Sequence, residues 1–289
     1  MKQFTILLTG ASGYLGSRVA KSLLNEGHTI LALTRNEQDV PAAHKNLRIY
    51  PLNKIKPLDV FAKEKIDGVM HFATCYGRNG QSADDVAQVN LILPLTLLCL
   101  AIKQQLKFFI NTDTILQPNI NPYSLTKHQF AQWLEFYADK IQTVNMRLDH
   151  FYGPNDHPVK FIAWLVEQFK KDVPFINLTA GDQTRDFVYI DDVVSAYLCV
   201  FKSLDKLSTE KLNSFEVGSG IKTSIKKMVL TLQQLMHKEN VQLNFGAVPY
   251  RKHERLDYSV DISALIALGW KPKVSLQEGL QKIIDEEKL

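Results

Sequence analysis

Short apolar runs and amphipathic stretches alternate through the first half of the chain. Phe4 to Leu8, Thr29 to Leu33, Leu47 to Tyr50, Val69 to Phe72, Phe108 to Asn111 and Val144 to Leu148 read as strands. Gly13 to Asn25, Asp84 to Lys103 and Pro122 to Ala138 read as helices, the second with its apolar residues spaced by three and four. Gly27 closes the first helix. Strands alternating with helices predict a doubly wound α/β fold, a parallel sheet covered on both faces.

The pattern changes after Tyr152. A loop from Gly153 to Pro158 leads into an amphipathic stretch, Phe161 to Lys170, and then into shorter elements ending at Gly269-Trp270-Lys271-Pro272. The stretch from Asp186 to Leu204 reads as a return to the sheet. The expected division is a dinucleotide-binding domain over 1–157 and about 186–220. A smaller C-terminal α/β lobe that takes the substrate occupies 158–185 and 221–289. No internal repeat and no low-complexity linker is visible.

The 289 residues are 45% hydrophobic and 22% charged, enough for a sizeable core. The net charge is +4 and the basic residues are scattered, which argues against a nucleic-acid surface. Cys75, Cys99 and Cys199 fall inside apolar segments without metal-like spacing, so buried thiols in a reducing compartment are expected and no metal site. No apolar run reads as long enough to span a bilayer, and no cleavage site follows Met1-Lys2-Gln3, so a cytoplasmic protein is expected.

Candidate chemistry begins with Thr9-Gly10-Ala11-Ser12-Gly13-Tyr14-Leu15-Gly16, between the first strand and the first helix. One glycine permits a tight turn, one lets backbone approach a pyrophosphate, and one lets helix pack on sheet. Amides at the helix start then face the phosphates. Three glycines alone are weak evidence, since any turn uses them. Their place after the first strand makes the binding motif the stronger reading. The second strand ends in Thr34-Arg35-Asn36, without the acid that binds a ribose hydroxyl in NAD sites. Arg35 would suit a 2′-phosphate, so NADPH is expected in preference to NADH.

Tyr123 and Lys127 stand four residues apart on one expected helix, and Thr112 follows an apolar run. A phenol has a pKa of about 10 and is a poor acid–base group at neutral pH. An ammonium one helical turn away favours the phenolate. The tyrosine could then exchange a proton with a substrate oxygen while hydride moves, and Thr112 could hold that oxygen. Taken singly, Tyr123 and Lys127 would be ordinary helix residues.

On these motifs the chain resembles the extended short-chain dehydrogenases/reductases that act on nucleotide-activated sugars. His71-Phe72-Ala73, Asn90, Tyr123-Ser124-Leu125-Thr126-Lys127, Tyr152-Gly153-Pro154 and the run from Gly181 to Val193 carry the likeness, in order and over nearly the whole length. The resemblance implies a Rossmann-type sheet and Thr112, Tyr123 and Lys127 as catalytic residues. It implies a cofactor site of Gly10, Ser12, Gly13, Tyr14, Leu15, Gly16, Arg35, Asn53, Phe72, Ala73, Thr74, Asn90, Tyr123 and Lys127. It places Asp113, Thr114, His150, Lys160, Phe161, Arg185 and Arg251 at the nucleotide-diphosphate sugar.

The triplet Thr112-Asp113-Thr114 separates reactions within the family. The 4,6-dehydratases carry Thr-Asp-Glu there, and a hydroxyl at 114 is too weak a base to take a ring proton. Phe109 to Thr114, with Asn121 to Ser124 and Lys127 to Phe130, is similar to CDP-abequose and CDP-paratose synthases. These reduce the 4-keto group of a nucleotide-linked dideoxysugar for bacterial surface polysaccharides. An NADPH-dependent 4-ketoreductase is therefore expected. A 4-epimerase, a dehydratase and a non-catalytic cofactor sensor remain as alternatives. His150 and Glu216 stand where asparagine is usual. The resemblance also implies a homodimer paired through Asp84 to Lys103 and Pro122 to Ala138, although those apolar faces could simply cover the sheet.

Overall fold

Thr5–Thr9 is apolar but for its ends and makes the first strand, β1, which enters the glycine turn. The computed structural model describes residues 2–35, 40, 44–78, 80–250, 256–257 and 259–288. In chain order the next elements are α1 (Tyr14–Asn25), β2 (Thr29–Thr34), β3 (Leu47–Pro51), α2 (Pro57–Lys63), β4 (Gly68–His71), α3 (Ala83–Ala87), α4 (Leu93–Lys103), β5 (Phe108–Thr114), α5 (Pro122–Phe136) and β6 (Gln142–Leu148). They are followed by β7 (His150–Tyr152), α6 (Phe161–Lys170), β8 (Phe175–Leu178), β9 (Thr184–Tyr189), α7 (Ile190–Lys202), β10 (Asn213–Val217) and β11 (Lys222–Ser224). The last are α8 (Ile225–Leu235), β12 (Gln242–Phe245), α9 (Ser263–Ala267) and α10 (Leu276–Glu286).

Two compact units form. The first takes Met1–Arg147 with Tyr197–Phe215, the second Leu148–Ala196 with Glu216–Leu289. The main sheet has the order β10-β6-β5-β4-β1-β2-β3. The pairings β3–β2, β2–β1, β1–β4 and β4–β5 are all parallel. The strand order reverses between β1 and β4, and in such sheets ligands bind outside the carboxyl ends at that point. This is the expected Rossmann-type α/β fold. The second unit has smaller sheets, β11-β9-β7 and β12-β8, with helices; β9 lies there and not in the main sheet, against the expectation that the stretch from Asp186 returns to it.

In the first unit Leu7, Leu31, Val69 and Phe109 from successive strands pack with Leu97, Leu98, Phe130 and Leu134 from α4 and α5. Each such side chain, buried completely, contributes about 1.5–3 kcal/mol. That core fixes the sheet edge where the polar residues stand.

Several expectations need correction. The strand expected at Phe108 to Asn111 runs on to Thr114, so Thr112, Asp113 and Thr114 are strand residues. The helix expected from Asp84 is interrupted by a π-helical turn, Gln88–Ile92, a feature frequent at functional sites. The whole helical stretch Ala83–Lys103 is long and apolar enough to cross a membrane by length and composition, against the reading that no run is. A core helix passes the same test, and Val86, Leu97, Leu98 and Ala101 are buried in the protein. Cys75 is buried as expected, but Cys99 faces out from α4.

Candidate active site

The glycine turn is built as the motif requires. Gly10 has φ of +73°, and a Cβ there would lie 2.7 Å from the Ala73 nitrogen and the Phe72 carbonyl carbon. A Cβ on Gly16 would collide with the Gly10 carbonyl oxygen. Gly13 caps α1 without a side-chain bond, and no acid stands in the first turn, so the helix presents bare amides. Ser12 and Gly13 are exposed, Tyr14 is half-buried, and Leu15 and Gly16 are buried. These features fit a dinucleotide pyrophosphate.

Asn90 lies in the π-turn, completely buried. Its amide is spent on protein: Oδ1 accepts from the Cys75 amide at 2.9 Å, and Nδ2 donates to the Cys75 carbonyl at 2.8 Å. It thereby fixes the segment that follows Phe72, Ala73 and Thr74. Asn53 is exposed in the turn after β3.

Asn121 caps α5, its Oδ1 accepting from the Ser124 amide at 2.9 Å, and Pro122 occupies the first turn. The cap places Tyr123 at the start of the helix and Lys127 one turn on. Tyr123 is half-buried and tilted against Tyr76, with ring centroids 5.0 Å apart. The Thr114 side chain lies near enough to its phenol to favour the ionised form. Lys127 is 1% exposed and donates from Nζ to the Thr112 carbonyl at 2.7 Å. Thr112 Oγ1 accepts from the Tyr197 hydroxyl at 2.8 Å.

The expected lowering of the phenol's pKa is not found. Burial pushes Tyr123 up from the usual phenol range; neighbouring Tyr76 and Asp113 add to this, against the Thr114 side chain. Burial also brings Lys127 down to about 8, opposed by Asp113. In this structure Tyr123 therefore keeps its hydrogen at neutral pH.

Asp113 is 3% exposed. Its Oδ1 accepts from the Thr114 amide at 2.7 Å and its Oδ2 from Asn145 Nδ2 at 2.7 Å.

In the second unit, exposed His150 bonds through Nδ1 to Asp149 at 2.6 Å, and that carboxylate is buried. Lys160 pairs with Asp156 at 3.0 Å and lies 3.9 Å over the Phe151 ring. Phe161 opens α6 and stacks on Trp164. Arg185 is buried and donates to the Thr184 carbonyl at 2.6 Å. Arg251 lies outside the described residues. Among the described residues no cluster of metal-ligating side chains occurs.

Tyr197, Tyr76 and Asn145 were not singled out from the sequence. Tyr197 is 85 residues from Thr112, and no spacing signal connects them. Tyr76 sits just past the His71-Phe72-Ala73 motif, which was the one hint available.

A sequence profile of the NAD dependent epimerase/dehydratase family matches residues 6–218. CDP-abequose synthase of Salmonella typhimurium is 31% identical over 291 residues, covering 96% of this chain and 97% of its own. UDP-glucuronic acid 4-epimerase from Bacillus cereus, solved with UDP-glucuronic acid and NAD, superposes with a TM-score of 0.84 at 23% identity, covering 98% of this chain and 99% of that one. UDP-glucose 4-epimerase of Thermus thermophilus, solved with NAD, gives 0.80 at 21% identity, covering 98% and 99%.

These matches correct the cofactor. Five of the matched solved structures carry NAD, which overturns the expectation of NADPH and of an NADPH-dependent reductase. The NADPH reading rested on Arg35 and a missing acid. Arg35 is exposed just past β2, where a solvated arginine needs no phosphate partner.

Proposed function

The chain belongs to the NAD dependent epimerase/dehydratase family, and from that membership we propose that it is a 4-epimerase of a sugar carried on a nucleoside diphosphate. The observation that carries this reading is Thr114. The family offers epimerase or dehydratase chemistry, and the dehydratase needs a carboxylate at this place. Thr114 supplies a hydroxyl near Tyr123. It cannot act as the ring-proton base.

NAD, when bound, would supply the hydride acceptor, and in its reduced form the hydride donor, for chemistry at carbon 4. Gly10, Gly13 and Gly16, with the first amides of α1, would hold its pyrophosphate. Tyr123, protonated, gives its proton to the 4-keto oxygen; taking the proton from the 4-hydroxyl in the opposite half-reaction requires the phenolate, which the positive charge of bound NAD would favour. Thr112 hydrogen-bonds that oxygen. Lys127 holds the carbonyl of Thr112 and so the position of the strand end. His150, Lys160, Phe161 and Arg185 bind the nucleotide diphosphate, for which lysine and a guanidinium fork are suited.

A second reading, net reduction of a 4-keto nucleotide sugar with NADH, is favoured by the 31% identity to CDP-abequose synthase across almost both chains. One experiment separates the two. Purified protein with NAD is given UDP-glucose, CDP-glucose and dTDP-glucose, and separately NADH with a 4-keto-6-deoxy nucleotide sugar. Epimerisation inverts carbon 4, seen by NMR, without net change in reduced nicotinamide. Reduction consumes it mole for mole. Neither change with any donor would contradict both readings.

We also propose a homodimer paired through α4 and α5. Phe136 is 70% exposed, and Trp133, Leu125 and Ile92 are also exposed on this helical pair and the turn before it. Apolar surface of this kind marks an interface. Phe136→Asp is expected to shift the protein from dimer to monomer in sedimentation equilibrium. A wild type that sediments as a monomer would refute the pairing.

A further inference from the structure

Two polar atoms on neighbouring strands of the first unit are buried without a partner, His71 Nε2 on β4 and Asn111 Oδ1 on β5. The two residues are register partners in the parallel pair, so their side chains share a face. Both contribute to the face covered by α5: the Phe130 ring lies 6.2 Å from that of His71 and 5.7 Å from that of Phe109, two positions before Asn111. Buried orphans of this kind are rare in native proteins, since each costs about 1–3 kcal/mol.

The hydrogen bonds on either side fix what each orphan is. Thr9 Oγ1 accepts from the amides of Phe72 and Ala73, each at 3.2 Å. Its own hydrogen therefore goes to His71 Nδ1, 2.8 Å away. The ring is buried beside Lys127, which holds its pKa well below the usual imidazole range, so it is neutral. With Nδ1 accepting, the single ring hydrogen is on Nε2, and that orphan is a donor.

The other end is anchored by a carboxylate. Asp113 Oδ2 can only accept, so Asn145 must present Nδ2 to it, at 2.7 Å. Asn145 Oδ1 then accepts from Asn111 Nδ2 at 2.8 Å. Asn111 is left with Oδ1 outward, and this orphan is an acceptor. A donor and an acceptor thus stand at paired positions, each forced by its own side of the network.

We propose that one buried water joins them, accepting from His71 Nε2 and donating to Asn111 Oδ1. It completes a one-directional hydrogen-bond chain from Thr9 through His71, Asn111 and Asn145 to Asp113. The chain crosses β1, β4, β5 and β6 and ties the glycine turn to the strand end that carries Thr112 and Thr114. Its terminus, Asp113, is the carboxylate that opposes the depression of Lys127. His71, Asn111 and Asn145 are positioning residues: they set the place of that charge and touch no substrate.

The direction of the chain can be reversed by design. Asn111→Asp keeps the shape but removes the donor to Asn145, and is expected to lower Tm by roughly 5–10 °C. Adding Asp113→Asn lets the Asn145 amide turn over, with the new amide at 113 donating and the new carboxylate at 111 accepting. The double variant is expected to regain more than half of the lost Tm; a smaller recovery overturns the chain, because packing alone predicts no rescue. Two measurements on the unaltered protein need no variant. Nitrogen-15 NMR is expected to show His71 as the neutral Nε2–H tautomer at pH 7, and high-resolution diffraction a water within hydrogen-bond distance of both atoms. An Nδ1–H tautomer, an imidazolium or a dry gap overturns the proposal.

Discussion

Tyr123→Phe is expected to lower turnover by about 10²- to 10⁴-fold, the usual contribution of a positioned acid–base group. The change removes one hydroxyl. The ring keeps its contact with Tyr76 at 5.0 Å, and the cap at Asn121 is untouched, so the helix start does not move. NAD affinity is expected to stay within a few-fold of the wild type, measured by direct titration. Burial keeps the Tyr123 phenol protonated. Such a group is ready to donate to a keto oxygen, the half-reaction that epimerisation and reduction share. Unchanged turnover in this variant would remove Tyr123 from the chemistry. Loss of NAD binding along with turnover would make its role structural.

Lys127→Met is expected to trade activity for stability. Lys127 is 1% exposed and its pKa is brought down from 10.5 to about 8 by burial. The sign follows from linkage. Below pH 8 the lysine is charged in both the folded and unfolded chain, and the folded state bears the full cost of burying that charge. Between pH 8 and 10.5 the unfolded chain binds more protons, so stability rises with pH. The full cost is of order 3 kcal/mol. Methionine has similar length and no charge, but leaves the Thr112 carbonyl without its donor at about 1 kcal/mol. The net expectation at pH 7 is a gain of roughly 1–2 kcal/mol in urea unfolding, with turnover down by about 10²-fold or more. The wild type is expected to gain stability from pH 8 to 10, and the variant to stay flat. A variant less stable than the wild type at pH 7 would show that the lysine is better compensated than its burial implies.

The sheet was legible because β1, β2, β4 and β5 are apolar runs of ordinary strand length, and the glycine turn announced the helix after β1. The strand boundary at Asn111 was missed for a physical reason. Thr112, Asp113 and Thr114 are polar, and polarity reads as a strand end; here the sheet buries them and satisfies them with Tyr197, Asn145 and backbone amides. The π-turn at Gln88–Ile92 lies within a continuous helical stretch whose residue types do not mark where the hydrogen bonding changes. Tyr123 and Lys127 were legible as an i, i+4 pair, but their mutual electrostatics were not. That depends on burial, and burial raised the phenol and lowered the lysine. The cofactor was misread from Arg35, a surface residue whose identity says little without the phosphate it was meant to bind. The polar network from Thr9 to Asp113 joins residues more than a hundred positions apart and could only come from the fold.

In the proposed reaction, hydride leaves carbon 4 of a nucleotide sugar and returns to it. The direct measurement uses the nucleotide sugar that the epimerisation assay identifies, deuterated at carbon 4, with enzyme and NAD in ordinary water. The expected product is inverted and keeps its deuterium at carbon 4. Inversion with hydrogen from solvent in its place, or no inversion at all, would contradict it.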